Sequence, residues 1–237
     1  MSGQQLPLDR LRALSYIGAC ALLVACAGRL APLITSALVP VDRGQGLAWA
    51  ARTVPGHDTA IRFRFQYQDK RRRWSGRGTA RVAPPDSLRF DYVGPLGLGA
   101  GAAVVVGDSA VWADPEENFR SLVPAVRMLW AALGVVRPPG NDARVTTGQG
   151  LSGTIWRFAE GADTLDYVGT EGSPRTLEAE WRREGKILAR SRTEFDARAK
   201  PTAARIVFPE APARFELTVV AVDTTAAFAP TLWRHRH

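Results

Sequence analysis

The sequence predicts a mainly β, α+β domain: a strongly curved antiparallel sheet forming a half-barrel covered by short helices. Three observations carry that expectation. About ten segments alternate apolar and polar residues with the period of two that a half-buried strand requires. Short connectors rich in Gly, Asp and Pro separate them, so consecutive strands pair antiparallel. Only one interior segment repeats its apolar residues at helical spacing. A sheet of that many strands twists and curls, and one helical hairpin covers its concave side.

The first residues carry a different signal. An apolar run, Ala13 to Ala25, follows Arg10 and Arg12 and ends in Leu23-Val24-Ala25-Cys26. It is shorter than the roughly 20 apolar residues of a membrane span and fits the roughly 7–15 of a signal-peptide core. Small residues before a cysteine thiol read as a lipobox, in which Cys26 is the lipidation site and becomes the first residue of the mature chain. Residues 1–25 are therefore expected to be a lipoprotein signal peptide, and Cys20 leaves with it. Ala27 stands where an aspartate would signal retention at the inner membrane. The expected location is the bacterial cell envelope, lipid-anchored at the periplasmic face of the outer membrane.

Residues 26–45 mix Pro32, Pro40 and Gly44 with small apolar residues and no sustained period, as expected of a loosely ordered lipidated tether. Leu47 to Val54 reads as a short amphipathic helix ended by Pro55-Gly56. Alternation then takes over: Ile61, Phe63, Phe65 and Tyr67 share one face, and Arg62, Arg64, Gln66 and Gln68 the other. Further strands are expected at Trp74–Val82, Ser87–Val93, Ala102–Val106, Ser109–Ala113, Gly153–Phe158 and Thr164–Val168. Thr176–Arg182, Ile187–Phe195, Ala203–Phe208 and Arg214–Val222 complete the set, so that residues 46–225 make one domain and 226–237 a tail. Asp114-Pro115-Glu116-Glu117 reads as a helix start with Asp114 as N-cap and proline at the first position. Phe119, Leu122, Val126, Leu129, Trp130 and Leu133 then recur at helical spacing. Pro124 should split the segment into two short helices, and Gly134 or Pro138-Pro139 should end it.

Composition narrows the function classes. No cysteine follows Cys26, which excludes a disulfide framework or a thiolate metal site in the mature domain. The formal net charge of +8 suits anionic lipid head groups or acidic partners, but it is scattered along strands, and no nucleic-acid module is present. The histidines, His57, His235 and His237, assemble neither a nucleophile-base pair nor a metal trio. Glycines 94, 97, 99 and 101 precede no helix start and make no phosphate loop. The expectation is a monomer that is no enzyme and needs no metal or cofactor.

Two motifs carry a resemblance. Ser87-Leu-Arg-Phe-Asp-Tyr-Val-Gly94-Pro95-Leu96-Gly97 looks like a strand followed by a protruding Gly-Pro-Leu-Gly loop. Gly107-Asp108-Ser-Ala-Val-Trp112-Ala-Asp114-Pro115 looks like a turn, an aromatic strand and an Asp-Pro helix start. Over residues 45–223 the chain resembles the LolA/LolB family, the periplasmic carrier and outer-membrane receptor of bacterial lipoproteins. The first motif is LolB-like and the second more LolA-like. The resemblance implies that Leu96, with Leu98, forms a membrane-insertion loop, and that a cavity under the sheet holds acyl chains. The candidates for its lining are Phe63, Phe65, Phe90, Tyr92, Trp112, Trp130, Trp156, Phe158 and Trp181, which would equally fill an ordinary core. Lys70, Arg71, Arg72 and Arg73, at a hairpin end, are candidates for contact with lipid head groups or a partner, or form a solvated turn. The implied function is an outer-membrane-anchored lipoprotein that binds acyl chains and hands lipoproteins or lipids to the membrane, with a LolA-like carrier as partner. The alternative is a structural or scaffolding envelope lipoprotein of the same fold without lipid cargo.

Overall fold

Alternation along the strands sets the architecture. The computed structural model describes residues 33–234 except 35, 96–98, 141, 151 and 171–174, so Cys26, Leu96, Leu98, His235 and His237 lie outside the described residues. The first elements are β1 (Val39–Pro40), α1 (Arg43–Ala51), β2 (Thr59–Gln68), β3 (Arg73–Ala83), β4 (Ser87–Val93), β5 (Gly101–Val106) and β6 (Ser109–Asp114). Two short helices follow, α2 (Glu116–Leu122) and α3 (Val126–Ala132). The rest is β7 (Arg144–Gln149), β8 (Thr154–Glu160), β9 (Asp163–Gly169), β10 (Arg175–Arg183), β11 (Lys186–Phe195), β12 (Pro201–Phe208), β13 (Ala213–Asp223) and a 3-10 turn (Pro230–Trp233). Among the described residues the strands form one 13-stranded sheet in the order β1-β7-β8-β9-β10-β11-β12-β13-β2-β3-β4-β5-β6. All pairings are antiparallel, and the ladder between β13 and β2 joins the two meanders.

In β2 the residues Ile61, Phe63, Phe65 and Tyr67 are buried while Arg62, Arg64, Gln66 and Gln68 are exposed. Leu88, Phe90 and Tyr92 of β4 are buried in the same way. Across from Phe63 and Phe65 the sequence has glycine: Gly78 and Gly76 pair with them, and a Cβ at either would fall 2.5 or 2.7 Å from the facing ring. The rings lie over the bare backbone, which lets the sheet bend around them. The opposite face is held by ion pairs between strands. Arg157 grips Asp166 with two bonds of 2.7 and 2.8 Å, and Glu180 lies between Arg182, at 2.7 Å, and Arg190. The arginine stems cover these carboxylates completely.

Helix α3 fills the middle of the concave side. Met128, Leu129 and Trp130 are buried there, and burying an apolar side chain of that size is worth roughly 1.5–3 kcal/mol. Two bonds fix the helix to the sheet: Thr193 Oγ1 donates to the Ala131 carbonyl at 2.7 Å, and Trp130 Nε1 donates to the Gly107 carbonyl at 2.8 Å. Pro124 does separate two helices, and the chain turns at Gly134 with φ +85°, a left-handed conformation that glycine adopts without strain.

Four details differ from the sequence reading. β7 was not expected, because in Arg-Val-Thr-Thr-Gly-Gln only Val145 is apolar and buried. β1 lies within the stretch read as tether, at the sheet edge where a proline is tolerated. α1 starts earlier than expected because Asp42 caps it, its Oδ1 accepting from the Gly44 amide at 2.8 Å. Asp114 is no N-cap: it ends β6 opposite Ala102, and Pro115 takes the cap position without a side-chain bond.

Candidate functional site

Because the filling stops short of one end of the half-barrel, a cavity of about 440 Å³ remains there, where β2 begins and β9 ends. Its floor is apolar, with Trp49, Ile61, Leu133, Leu177, Phe195 and Val222. Its rim is cationic, with Arg52, Arg175, Arg198 and Lys200, and no carboxylate lines it among the described residues. The volume lies within the roughly 300–1,000 Å³ of small-ligand sites.

Local bonds shape this mouth. The Thr53 hydroxyl donates to the Ala50 carbonyl at 2.7 Å and accepts from the Val136 amide at 2.8 Å, tying the end of α1 to the segment after α3. At Gly134 a Cβ would stand 2.8 Å from the Phe195 ring, so glycine allows that close approach. Asp196 Oδ1 accepts from the amides of Arg198 and Lys200 at 2.9 and 2.8 Å, which forms the turn that presents both cations. The Arg175 guanidinium lies 5.5 Å from the Phe195 ring centre, and Lys200 Nζ donates to the Val222 carbonyl at 3.4 Å. Beside the mouth, the Asp223 carboxyl is held below the usual carboxylate range, first by the Thr225 amide and hydroxyl, then by Arg62 and Lys200.

The aromatic residues singled out in the sequence occupy several places. Phe63, Phe65, Phe90, Tyr92, Trp130 and Phe158 are buried together on the concave side. Phe63 stacks on Phe90 at 5.3 Å, and Trp74 stands edge-on to Phe65 and Tyr92 at 5.5 and 5.7 Å. Trp156 is half-buried and stacks at 5.6 Å on Trp49, which lines the cavity. Trp181 lines a second hollow of about 360 Å³, with Tyr67 and Phe208, toward the other end of β2. Trp112 lies on the opposite face from Phe90. It pairs with Val104, which sits across from Arg89; the Arg89 guanidinium covers its ring at 5.4 Å, and its Nε1 donates to the Trp233 carbonyl at 3.2 Å.

Lys70, Arg71 and Arg72 form the exposed tip between β2 and β3, and Arg73 begins β3. Asp69 shapes the tip by accepting from the amides of Arg71 and Arg72 at 2.7 and 2.8 Å, which holds its carboxyl below the usual range. β4 ends at this same end, since Val93 pairs with Arg77 near the start of β3, while Leu96 and Leu98 lie outside the described residues. The cavity mouth is at the other end, where Ile34 bridges Gly150 just past β7.

The sequence reading expected an apolar cavity under the sheet but named as its lining none of the residues that line this one. Its four rim cations come from three separate segments, the end of α1 (Arg52), the start of β10 (Arg175) and the turn after β11 (Arg198 and Lys200), which only the fold brings to one end. Among the described residues, no helix is long and apolar enough to cross a membrane, and no group of three or more His, Cys, Asp or Glu could hold a metal ion.

No protein-family model and no curated protein matches the sequence. In structure the chain is similar to a LolA superfamily protein from Nitrosomonas europaea, with a TM-score of 0.53 and 11% identity over 82% of this chain and 99% of that one. A DUF1329 family protein from Desulfovibrio piger follows at TM-score 0.47 and 10% identity, covering 83% and 98%. A candidate outer membrane lipoprotein-sorting protein domain from Vibrio parahaemolyticus reaches TM-score 0.39 and 6% identity, covering 80% and 94%. The likeness to the first is one of fold.

Proposed function

We propose that this chain, which has the fold of the LolA superfamily, binds an acyl chain in the cavity at the end of its half-barrel and passes lipids or lipoproteins to a membrane. The observation that carries this reading is the unfilled hollow of about 440 Å³ with an apolar floor at one end of the concave side. Hydrocarbon gains roughly 0.8 kcal/mol per buried CH2, so a pocket of this lining needs no cofactor to retain a chain.

In this reading Cys26 bears the lipid anchor, and the chain works at the periplasmic face of the outer membrane, receiving cargo from a LolA-like carrier. Six residues lie between Cys26 and Leu33, and the seven steps from one to the other reach at most about 25 Å. Leu96 and Leu98 serve as an insertion loop, and Lys70 to Arg73 as a contact for head groups or the carrier.

The packed aromatic rows favour a second reading, a scaffolding lipoprotein without cargo. Organic extraction and mass spectrometry of the purified full chain carrying Cys26→Ala separates the two. Co-purifying fatty acids or phospholipids in near-stoichiometric amount are expected; a lipid-free chain that also takes up no added fatty acid would leave the scaffold.

A further inference from the structure

Several arginines of the sheet are neutralised by carboxylates, whereas others, such as Arg62, Arg64 and Arg77, form no ion pair among the described residues. On the opposite face Arg81, Arg89, Arg157, Arg182, Arg190 and Arg192 all pair with carboxylates. At the mouth, none of Arg52, Arg175, Arg198 and Lys200 makes an ion pair among the described residues. The adjacent carboxylates are engaged elsewhere: Asp196 accepts from backbone amides, and Asp223 accepts from the Thr225 amide at 2.9 Å and its hydroxyl at 2.8 Å. Arg175 and Lys200 are steadied against the wall by an aromatic ring and a carbonyl oxygen, without a direct carboxylate contact, although the Asp223 charge acts on Lys200 from beside the mouth. Four like charges around a low-dielectric hollow repel one another and raise the local concentration of anions.

We propose that the site selects a single-chain amphiphile with an anionic head group, its carboxylate or phosphate held by Arg175, Arg198, Lys200 and Arg52 while its tail lies over Leu133, Leu177 and Phe195. This rests on the acyl-chain reading and adds the head group to it. The cavity volume stands toward the lower part of the small-ligand range, which suits one chain. Guanidinium groups bind carboxylate and phosphate through two parallel hydrogen bonds, a geometry a neutral head group cannot match.

Calorimetric titration of the full chain carrying Cys26→Ala tests this. The ligands are oleate, lysophosphatidylglycerol, oleyl alcohol, zwitterionic lysophosphatidylcholine and inorganic phosphate. The two anionic amphiphiles should bind at least tenfold more tightly than the neutral and zwitterionic ones, and raising the salt should narrow that gap. The Arg175→Gln/Arg198→Gln/Lys200→Gln variant should bring the oleate to oleyl alcohol ratio close to one, while Arg205→Gln on the opposite face should keep it. Equal affinity for oleate and oleyl alcohol would overturn the head-group assignment and leave acyl-chain binding standing. Phosphate binding as tightly as the amphiphiles would reduce the site to an anion site. A chain that binds none of the five would overturn both readings.

Discussion

Tyr92 is 3% exposed, and its hydroxyl has no hydrogen-bond partner among the described residues. A buried hydroxyl left unpaired costs about 1–3 kcal/mol, so Tyr92→Phe should leave the fold intact and stabilise it by about 1 kcal/mol. Burial, with a smaller contribution from the charge of Asp114, pushes this phenol up to about 12 from 10.0. Below pH 10 the folded and unfolded chains both hold the proton. Between pH 10 and 12 only the unfolded chain releases it, so stability falls as pH rises. Denaturant titrations at pH 9 and pH 11 should show a smaller loss for Tyr92→Phe than for the wild type; equal losses would place the alkaline sensitivity on other groups. That Tyr92 points inward was legible from the alternation in β4. That its hydroxyl goes unpaired was not, because pairing depends on what reaches it from other strands.

Elements differ in how openly the sequence declares them. β2 and β4 announce themselves because their inner rows are aromatic or aliphatic and their outer rows charged or polar. β7 is held between β1 and β8 by main-chain bonds, which leave no mark on composition. The start of α1 was missed because the apolar residues begin several positions after the capping Asp42. The connection between β4 and β5, with Leu96 and Leu98, is the element that the LolB-like motif marks most strongly. It springs from the end of the sheet opposite the cavity mouth. If it inserts cargo into bilayers, Leu96→Glu should keep the unfolding midpoint of the wild type yet slow lipoprotein transfer to vesicles at least tenfold. Transfer at the wild-type rate would remove the insertion role.

At the scale of the whole molecule, a curved sheet, a covering helix and the hollow left at one end decide what the chain can hold. The aromatic residues that the sequence offered as cavity lining were legible as an inward set, Trp112 excepted. Which of them fill space and which border it depends on where α3 lies, and its two anchors, Gly107 and Thr193, are distant in sequence. Trp49, Leu177 and Phe195 meet at the mouth only through sheet register. One position there is suited to a direct test. Gly169 lines the cavity, its φ lies outside the left-handed region, and a Cβ would meet only the Trp49 ring, at an ordinary 3.4 Å. Gly169→Leu should therefore place its side chain inside the hollow without straining the backbone. Acyl-chain binding in the hollow is checked by fluorescent fatty-acid titration of the full Cys26→Ala chain, with and without Gly169→Leu. Saturable binding that the leucine weakens at least tenfold with little change in Tm is expected; undiminished affinity in the variant, or no saturable binding in the parent, would show that the hollow holds no acyl chain.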